Sequence, residues 1–443
     1  MNITVDFGAP VGKIKPMHCV NNGPTKPRKD QTKGNFKEFA RLRIPYARTH
    51  DSSFCASYGG EHTIDINAVF PNFDADEQDE KNYDFFYTDE YCKTITQAGT
   101  KVFFRLGQKI EHGLKKYGAN PPADNLKWAK ICEKIIMHLN YGWANGHKFG
   151  IEYWEIWNEP DLDPDVCESH RTWNGTQARF YDLFETAAKY LKSKFPDLKI
   201  GGPAFAGNGE RIEACLAEMS KRKVPLDFVS WHIYATDPYK IARRENEMRE
   251  RMNKYGYDKA ESICDEWNYV KGWSDDWLYS LRAESSYKGA AFVAQTMSVV
   301  QDCSTDMLMY YDARINTAMN GLFDLYNSRP QKPYYALLYW SVLYELGGQY
   351  AAYSENAEVS VTAAKDENGN AALLVTRYSE DNNKTSSLTV DFLLCGLEPK
   401  RGKVFVTDEI RTNCYNENVD SDSFSLALEP NSITLITFGD IEF

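Results

Sequence analysis

Trp154-Glu155-Ile156-Trp157-Asn158-Glu159-Pro160 has the pattern of a buried β-strand that ends at a glutamate. Proline cannot donate a hydrogen bond to a strand ladder, so this proline predicts that the strand stops at once. Parallel barrels build their active sites at this end of their strands. We therefore expect Glu159 to lie at a strand tip that faces an active site.

A second glutamate has a similar context further along the chain, in Ile263-Cys264-Asp265-Glu266-Trp267-Asn268. Two glutamates at strand ends, each beside tryptophan and asparagine, indicate a carboxylate pair that acts on sugars. One carboxyl of such a pair must be protonated and the other ionised, which different surroundings achieve for the same residue type. Spacing alone does not assign the two roles, and a salt bridge at the barrel rim is the alternative for either glutamate.

Short apolar runs alternate with longer segments of helical periodicity between residues 17 and 311. The candidate strands are Met17–Val20, Phe39–Ile44, Val102–Leu106, Tyr153–Trp157, Ile200–Pro203, Phe228–His232, Ser262–Asp265 and Met307–Tyr310. Asp124–His138 and Gln177–Lys194 are clear examples of the helices between them. Strands that alternate with helices predict an α/β fold with a parallel sheet, and eight repeats predict a (β/α)8 TIM barrel.

The pattern changes from about Tyr350 to short strands separated by turn residues, which is typical of an antiparallel β-sandwich. The opening strand Ile3–Phe7 precedes the first barrel strand and is free to pair with that second domain. We therefore expect an N-terminal strand at 1–16 that joins the sandwich, a catalytic barrel at 17–345 and a C-terminal β-sandwich at 346–443.

The composition of the 443-residue chain, with 42% hydrophobic and 26% charged residues, is that of a globular protein. No apolar stretch approaches the roughly 20 residues of a membrane span, so we expect no membrane contact. The net charge of −12 argues against a nucleic-acid surface. The partner expected instead is an oligosaccharide or glycoside substrate, and a homo-oligomer is compatible with the exposed sandwich and barrel helices.

The first residues, MNITVDFGAPVGKIKP, lack a basic region followed by an apolar one, so the sequence shows no signal peptide. The ten cysteines, Cys55 among them, are scattered and form no C-x-x-C pair. Both observations favour reduced thiols and a cytoplasmic location, while export of the mature form stays open.

Two other classes of protein compete with a two-glutamate glycosidase. A metal-dependent hydrolase is disfavoured because the eight histidines show no H-E-x-x-H or paired spacing, so no metal and no cofactor are expected. A catalytically inactive carbohydrate-binding barrel is the second alternative. The presence of both Glu159 and Glu266 argues against it, since an inactive relative would often have lost one of them.

The ordered set of motifs resembles the retaining glycoside hydrolases of clan A, and within the clan it is most similar to glycoside hydrolase family 39. That family contains β-xylosidases and α-L-iduronidases, with relatives that act on arabinose- and galactose-containing glycans. The resemblance spans essentially the whole chain. It is carried by Trp157–Pro160, Ile200–Ala204, Asp227–Tyr234, Glu266–Asn268 and Lys332–Ala336.

The resemblance implies a role for each central residue. Glu159 matches the general acid/base, and Glu266 matches the nucleophile that forms a covalent glycosyl-enzyme. Asn158 matches a residue that binds the sugar 2-hydroxyl, and His232 and Tyr234 match residues near the nucleophile. The implied activity is that of a retaining exo-glycosidase that removes a terminal β-xyloside, or a related arabinoside or galactoside, by double displacement. Retention implies carboxyl groups about 5–5.5 Å apart.

The pocket that selects the sugar shows departures from the family pattern. His50 matches a glycone contact, or is a hydrogen-bonded structural residue. Asp51 stands where xylosidases tend to have a small residue, and we expect it to contact the substrate. The eighth strand ends on Tyr310–Arg314 rather than on the tryptophan common in the clan. Arg314 and Asp312 are available to bind hydroxyls or a carboxylate, or to pair with each other.

Several side chains near the motifs have open assignments. Trp267 is expected among the substrate contacts, although both it and Trp273 either stack on sugar or pack in the protein. Glu155 has the strand parity of Glu159 and is expected to be the buried partner of an arginine. Arg48, Arg43 and Arg105 are the candidates to lower the pKa of Glu266. The acidic segment Asp65–Asp89 is either a solvated surface loop or a long loop over the cleft.

Overall fold

The computed structural model of the protein describes residues 1–27, 33–52, 62–398 and 400–443. After the opening strand β1 (Asn2–Lys13), eight parallel strands close into a barrel. A second, mostly antiparallel sheet of nine strands lies apart from the barrel. The predicted fold class, a (β/α)8 barrel with an accessory β-domain, is confirmed.

The barrel consists of eight consecutive strands, and the last of them pairs with the first to close the ring. Its strands are β2 (Cys19–Asn21), β3 (Tyr46–Thr49), β4 (Lys101–Leu106), β5 (Tyr153–Ile156), β6 (Lys199–Phe205), β7 (Phe228–Ala235), β8 (Glu261–Tyr269) and β9 (Met307–Tyr310).

Helices connect the barrel strands and form an outer layer. They are α1 (Phe36–Arg41), α2 (Ile66–Val69), α3 (Phe86–Gln97), α4 (Asn125–Tyr141), α5 (Gln177–Lys194), α6 (Gly209–Lys221), α7 (Pro238–Lys254), α8 (Trp277–Glu284), α9 (Tyr287–Gln301) and α10 (Lys332–Leu346). Short 3₁₀ turns occur at Glu80–Asn82 and Trp143–Asn145.

Local signals explain where the long helices begin and end. The Asp124 carboxylate accepts from the backbone of Leu126 and Lys127 and caps α4, which ends at Gly142 with φ of +80°. The Thr176 hydroxyl accepts from the backbone of Arg179 and caps α5, whose bounds are those predicted from its periodicity.

The second barrel strand is the one that sequence reasoning placed wrongly. Phe39–Ile44 was expected to form it, but the structure has α1 at Phe36–Arg41 and the strand at Tyr46–Thr49. Phe39 and Leu42 are buried three residues apart, which is the spacing of one helix face rather than of a strand. Pro45 lies between the helix and the strand. The residue before a proline disfavours the helical conformation, so the helix cannot continue through Ile44.

The second sheet takes its strands from both ends of the chain. Strand β1 lies in its interior, where seven of its residues pair antiparallel with one neighbour and five pair parallel with the other. The remaining strands are β10 (Gly348–Ser354), β11 (Val359–Lys365), β12 (Ala371–Arg377), β13 (Leu388–Cys395), β14 (Arg401–Thr407), β15 (Cys414–Asp420), β16 (Ser423–Leu428) and β17 (Ser432–Phe438). The order across the sheet is β15-β14-β17-β12-β11-β10-β1-β13-β16.

Both faces of this sheet carry buried hydrophobic side chains. One hydrophobic cluster contains Val419 of β15 and Leu426 of β16, which lie at opposite ends of the strand order, so the sheet folds around a core of its own. Leu374 and Leu435 belong instead to the core cluster of the barrel, where α9 and α10 contact the sheet. The accessory domain is thereby packed onto the helix layer next to the last barrel strands.

Within the described residues, no helix combines the length and apolar character that crossing a bilayer requires. The nine described cysteines are all free, and Cys55 lies outside the described residues.

Candidate active site

The chain leaves β5 through an unusual backbone that aims Glu159 into the barrel mouth. Trp157 and Glu159 have φ of +76° and +49°, a left-handed conformation that bulky residues rarely adopt. The Trp157 indole donates to the Thr172 carbonyl, and the Thr172 hydroxyl donates to the Glu159 carbonyl. The Glu159 amide donates to the carbonyl of Ala204 on β6. These hydrogen bonds hold the strained turn in place. Strained backbone that its surroundings stabilise in this way is common at functional sites.

A β-bulge in β8 places two neighbouring carboxyl groups inside the barrel. The ladder with β7 pairs Trp231 with Cys264 and then His232 with Glu266, so Asp265 is an extra residue. In a regular strand, successive side chains point to opposite faces, and a bulge changes this. Asp265 and Glu266 are both buried, and both lie next to His232.

Glu159, His232 and Glu266 form the centre of the site. One nitrogen or oxygen atom of each lies within 4.8 Å of the others. His232 Nδ1 is 2.8 Å from Glu159 Oε1 and 3.7 Å from Glu266 Oε2. The Tyr234 hydroxyl donates to Glu266 Oε1 at 2.5 Å. One oxygen of Glu159 thus lies within 4.8 Å of one oxygen of Glu266, a closest approach shorter than the roughly 6.5–9.5 Å between the carboxyl groups of an inverting pair.

The surroundings set the protonation states of these groups. Burial raises the pKa of Glu159 to about 7, against the attraction of Arg48 and Arg171. Burial and the nearby Glu159 carboxyl also raise the pKa of Glu266, but Arg48 and the Tyr234 hydrogen bond oppose this rise. Burial lowers the pKa of His232 to about 4, so its ring is neutral at physiological pH. Glu159 is therefore the natural holder of a proton, and Glu266 has more groups that stabilise its anion.

Arg48 is the arginine that reaches the pair, and its guanidinium is fully buried. Its Nε lies 2.7 Å from Glu155 and 3.1 Å from Asp265, and its Nη1 lies 3.5 Å from Glu266. Its Nη2 donates to the Asn158 side-chain oxygen at 2.7 Å. The prediction that Glu155 pairs with a buried arginine is confirmed.

The other two arginine candidates lie elsewhere. Arg43 pairs with Glu345 in a partly exposed position, and Arg105 pairs with Asp65 at 2.6 Å.

Three carboxyl groups around one guanidinium cannot all be ionised at low cost. Burial and the neighbouring Glu155 raise the pKa of Asp265 well above its usual range. Burial acts in the same direction on Glu155, but Arg48 and the hydrogen bonds of this carboxylate hold its pKa below the usual value. Asp265 is accordingly the one of the three carboxyl groups that holds a proton most readily. Sequence reasoning missed it, because strand parity points Asp265 away from its neighbour Glu266.

A cavity of about 600 Å³ opens onto the pair, which is within the range of small-molecule sites. Of the predicted substrate contacts, the structure brings His50, Asn158, His232 and Tyr234 to its wall. Trp273 and Tyr311 also line the cavity. The Trp273 ring, 61% exposed, meets the Tyr234 ring edge-on and is available for stacking on a sugar.

Asp51 and Arg314 were predicted to bind substrate but do not line the cavity. The Tyr311 hydroxyl donates to Asp51 at 2.9 Å and accepts from Arg314 at 3.1 Å. Arg314 pairs with Asp312 at 2.7 Å, which is the alternative that the sequence left open. This charged group lies behind Tyr311 and fixes the position of its phenol ring.

The predicted sugar contact of Trp267 is also wrong. Its indole is fully buried and packs against Phe292 and Tyr310. Beyond the bulge at Asp265, the strand turns this side chain into the core between barrel and helices.

The acidic segment Asp65–Asp89 contributes no residue to the cavity wall, so of the two alternatives left by the sequence it does not form a loop over the cleft. Its first residues form α2, and Asp65 is fixed by Arg105. At its end, the Phe85 ring stacks on His138 of α4 at 3.6 Å between centroids. The segment therefore follows the helix layer rather than the barrel mouth.

Comparison with known proteins gives matches over most of the chain. Residues 62–407 match the family described as glycosyl hydrolases family 39. A β-xylosidase of Caldicellulosiruptor saccharolyticus is 29% identical over 257 residues, which cover 54% of this chain and 47% of that protein. A β-xylosidase of Geobacillus stearothermophilus is 27% identical over 168 residues, 35% of this chain and 31% of that protein. The match spans less than half the length of either relative.

Solved structures show the same architecture. A glucosidase from Croceicoccus marinus superposes with a TM-score of 0.81 at 18% identity, covering 100% of this chain and 99% of that one. A monomeric β-xylosidase from Caulobacter crescentus CB15 gives a TM-score of 0.73 at 16% identity, with 99% of each chain covered. At these identities the likeness establishes the fold.

Proposed function

The chain belongs to glycosyl hydrolases family 39, and from this premise we propose that it is a retaining exo-glycosidase. Its two catalytic residues are Glu159 and Glu266. The observation that carries the proposal is their proximity, with one oxygen of each within 4.8 Å, where Glu159 follows the fourth barrel strand and Glu266 lies in the C-terminal half of the seventh. A double displacement needs a carboxylate close enough to bond the sugar itself, and this separation suits it.

In the first step, the Glu266 carboxylate attacks the anomeric carbon and a glycosyl-enzyme ester forms. Glu159 gives its proton to the glycosidic oxygen, and the leaving group departs as a neutral alcohol. A pKa of about 7 lets Glu159 hold that proton near neutral pH. In the second step, Glu159, now ionised, takes a proton from water as the water attacks the same carbon. Hydrolysis frees Glu266 and restores both residues.

The neighbours of Glu266 support its role as the anion. Tyr234 donates to one carboxylate oxygen at 2.5 Å, and Arg48 lies 3.5 Å from the other. Arg48 also donates to the side-chain oxygen of Asn158, which leaves the amide nitrogen of Asn158 to donate to a sugar hydroxyl. Such a bond to the 2-hydroxyl strengthens as charge develops in the transition state.

His232 and Asp265 position the acid proton of Glu159. Asp265 Oδ1 lies 3.4 Å from His232 Nε2 without a well-directed hydrogen bond, and we propose that a small rotation of the protonated Asp265 carboxyl brings its hydrogen to that nitrogen. The neutral imidazole then carries its own hydrogen on Nδ1, which donates to Glu159 Oε1 at 2.8 Å. The transferable proton of Glu159 is thereby kept on Oε2. The opposite tautomer would draw that proton toward the histidine and away from the substrate.

The substrate class we propose is a terminal β-xyloside, or a related arabinoside or galactoside. The two relatives named β-xylosidases support the first of these. His50, Asn158 and Tyr311 form the inner wall that would contact the terminal sugar, and Trp273 lies nearer the solvent. The cavity volume suits a terminal sugar and its leaving group rather than the middle of a polymer.

A panel of aryl glycosides tests the proposal. Nitrophenyl β-xyloside, α-arabinoside, β-galactoside and β-glucuronide are assayed, and the anomer of the first product is read by proton NMR. We expect turnover of at least one sugar with the configuration retained. Binding without turnover of any of them would favour the inactive carbohydrate-binding barrel, and an inverted product would exclude the two-step mechanism.

A further inference from the structure

A second group of histidine and carboxylate side chains lies in the helix layer, away from the cavity. It joins Asp89 of α3, His138 in the last turns of α4 and His147 in the segment that leads to β5. His138 Nε2 is 2.9 Å from Asp89 Oδ1, and His147 Nε2 is 3.0 Å from Asp89 Oδ2. One ligand atom of each residue lies within 4.8 Å of the other two.

The hydrogen bonds of His138 show that a cation belongs in this group. His138 Nδ1 is 2.8 Å from the Trp143 carbonyl, which only accepts, so Nδ1 carries a hydrogen. In a neutral ring, Nε2 then has a lone pair, and this lone pair faces a carboxylate oxygen of Asp89. Two electron-pair donors at 2.9 Å are stable only if a proton or a metal ion lies between them.

The geometry of His147 favours a metal ion over a proton in this cluster. Its Nε2 is shielded from solvent and makes no well-directed hydrogen bond, although Asp89 Oδ2 is only 3.0 Å away. The rings of His138 and His147 are nearly perpendicular, at 87°, and Phe85 and Phe149 hold them by stacking. Both Nε2 atoms therefore flank the Asp89 carboxylate, and the nitrogen of His147 is not directed along a hydrogen bond to it.

We propose that Asp89, His138 and His147 bind one divalent transition-metal ion, with Zn²⁺ the best match. Two imidazole nitrogens and a carboxylate are a ligand set that zinc accepts, whereas Ca²⁺ and Mg²⁺ prefer oxygen alone. A histidine that ligates a metal through one nitrogen usually donates its other N–H to a carbonyl or carboxylate, as His138 does to Trp143. The side chains of Asp89 and His147 are 18% and 22% exposed, which leaves a path for the ion and a water ligand.

The ion would stabilise the structure and take no part in the chemistry. None of the three residues lines the active-site cavity. The ion would tie α3, α4 and the segment before β5 together, and β5 carries the chain toward Glu159. Sequence reasoning expected no metal, because His138 and His147 follow no zinc motif and Asp89 is distant in sequence.

Metal content and a cobalt spectrum test the site directly. The full-length protein is stripped with EDTA, incubated with Zn²⁺ and dialysed, and zinc is counted by mass spectrometry. We expect one zinc per chain, a Tm that rises with zinc, and visible d–d absorption bands when Co²⁺ replaces it. His147→Gln and Asp89→Asn should lose the zinc and the cobalt bands while keeping the glycosidase activity of the wild type at room temperature.

His62→Gln is the matched control, since His62 lies 2.7 Å from Asp65 but that pair has only one imidazole. Glu266→Gln controls for zinc held by the catalytic cluster. Both should keep the single zinc. If the wild type holds no more zinc than His147→Gln and shows no cobalt bands, the proposal is wrong, and His138 is an imidazolium paired with Asp89. The cobalt spectrum of the wild type decides the matter even if a variant fails to fold.

Discussion

The protein contains two clusters of histidine and carboxylate side chains with similar spacing and different surroundings. In the catalytic cluster, two carboxyl groups share one neutral imidazole, and a cavity opens onto them. In the helix-layer cluster, two imidazoles share one carboxylate, and a backbone carbonyl fixes one ring. Two carboxyl groups with one imidazole favour the movement of a proton between groups. Two imidazoles with one carboxylate favour the binding of a cation. The presence of histidine and carboxylate side chains does not by itself distinguish a proton-transfer site from a cation site. The ratio of imidazoles to carboxyl groups and the groups that surround them do.

Removing the proposed nucleophile, Glu266, should have the largest effect. Glu266→Gln keeps the shape of the side chain but removes the anion, so no glycosyl-enzyme forms. We expect kcat to fall by on the order of 10⁴-fold or more, as measured with the best aryl glycoside. Asp89→Asn, the corresponding change in the other cluster, should leave kcat unchanged at room temperature. Equal losses in both variants would remove the functional distinction between the clusters.

Glu159→Ala should have the next largest effect, and one that depends on the leaving group. General acid catalysis contributes roughly 10²–10⁴-fold, so poor leaving groups should lose this factor and activated aryl groups less. Azide fits the space left by the side chain and attacks the glycosyl-enzyme, so it should restore turnover and yield a glycosyl azide of retained configuration. Rates like those of the wild type, or no rescue by azide on any substrate, would contradict the acid/base role.

Asp265 gives a smaller effect that tests positioning. Asp265→Leu removes the hydrogen that we propose Asp265 donates to His232 Nε2, and we expect kcat/KM to fall by about 10²-fold, as for a misplaced catalytic group. Asp265→Asn keeps an N–H that can donate to Nε2 and should recover most of the rate. The pH at which activity is half lost should shift in Asp265→Leu and not in Asp265→Asn. Equal rates and pH profiles in the two variants would show that Asp265 acts only as packing.

Changing the pH should affect the activity of the wild-type enzyme less than the substitutions above. Glu159 must hold its proton in the free enzyme, and its pKa of about 7 lies well above the ordinary value for glutamate. The value of kcat/KM should therefore fall as the pH rises through about 7, with a slope of one proton. The loss on the acid side should follow protonation of Glu266. A profile that is flat through pH 7 and above would show that Glu159 is not the acid.

The barrel and the proximity of Glu159 and Glu266 were predictable because their signals are local. The alternation of strands and helices is visible in the chain, and Glu159 and Glu266 each stand at the end of a recognisable strand. The bulge at Asp265 was not predictable, since it depends on the register between β7 and β8. For the same reason, Trp267 was assigned to the sugar and lies in the core.

Other errors arose where a pattern fits two structures or where partners are distant in sequence. Phe39–Ile44 has the apolar content of a strand but the buried spacing of a helix. Asp51 and Arg314 are strong candidates by residue type, yet each is satisfied by a partner brought close by the barrel. The cluster of Asp89, His138 and His147 likewise exists only after α3 and α4 have packed.

The central claim is that Glu266 bonds covalently to the sugar. It is tested most directly with a 2-deoxy-2-fluoro glycoside of the preferred sugar that carries a good leaving group, followed by mass spectrometry of peptides. Fluorine at the second carbon slows both steps, and the leaving group lets the first proceed, so the intermediate accumulates. We predict one sugar on the peptide that contains Glu266, and none in Glu266→Gln. A label on another residue, or an unlabelled enzyme that still turns over its substrate with inversion, would contradict this mechanism.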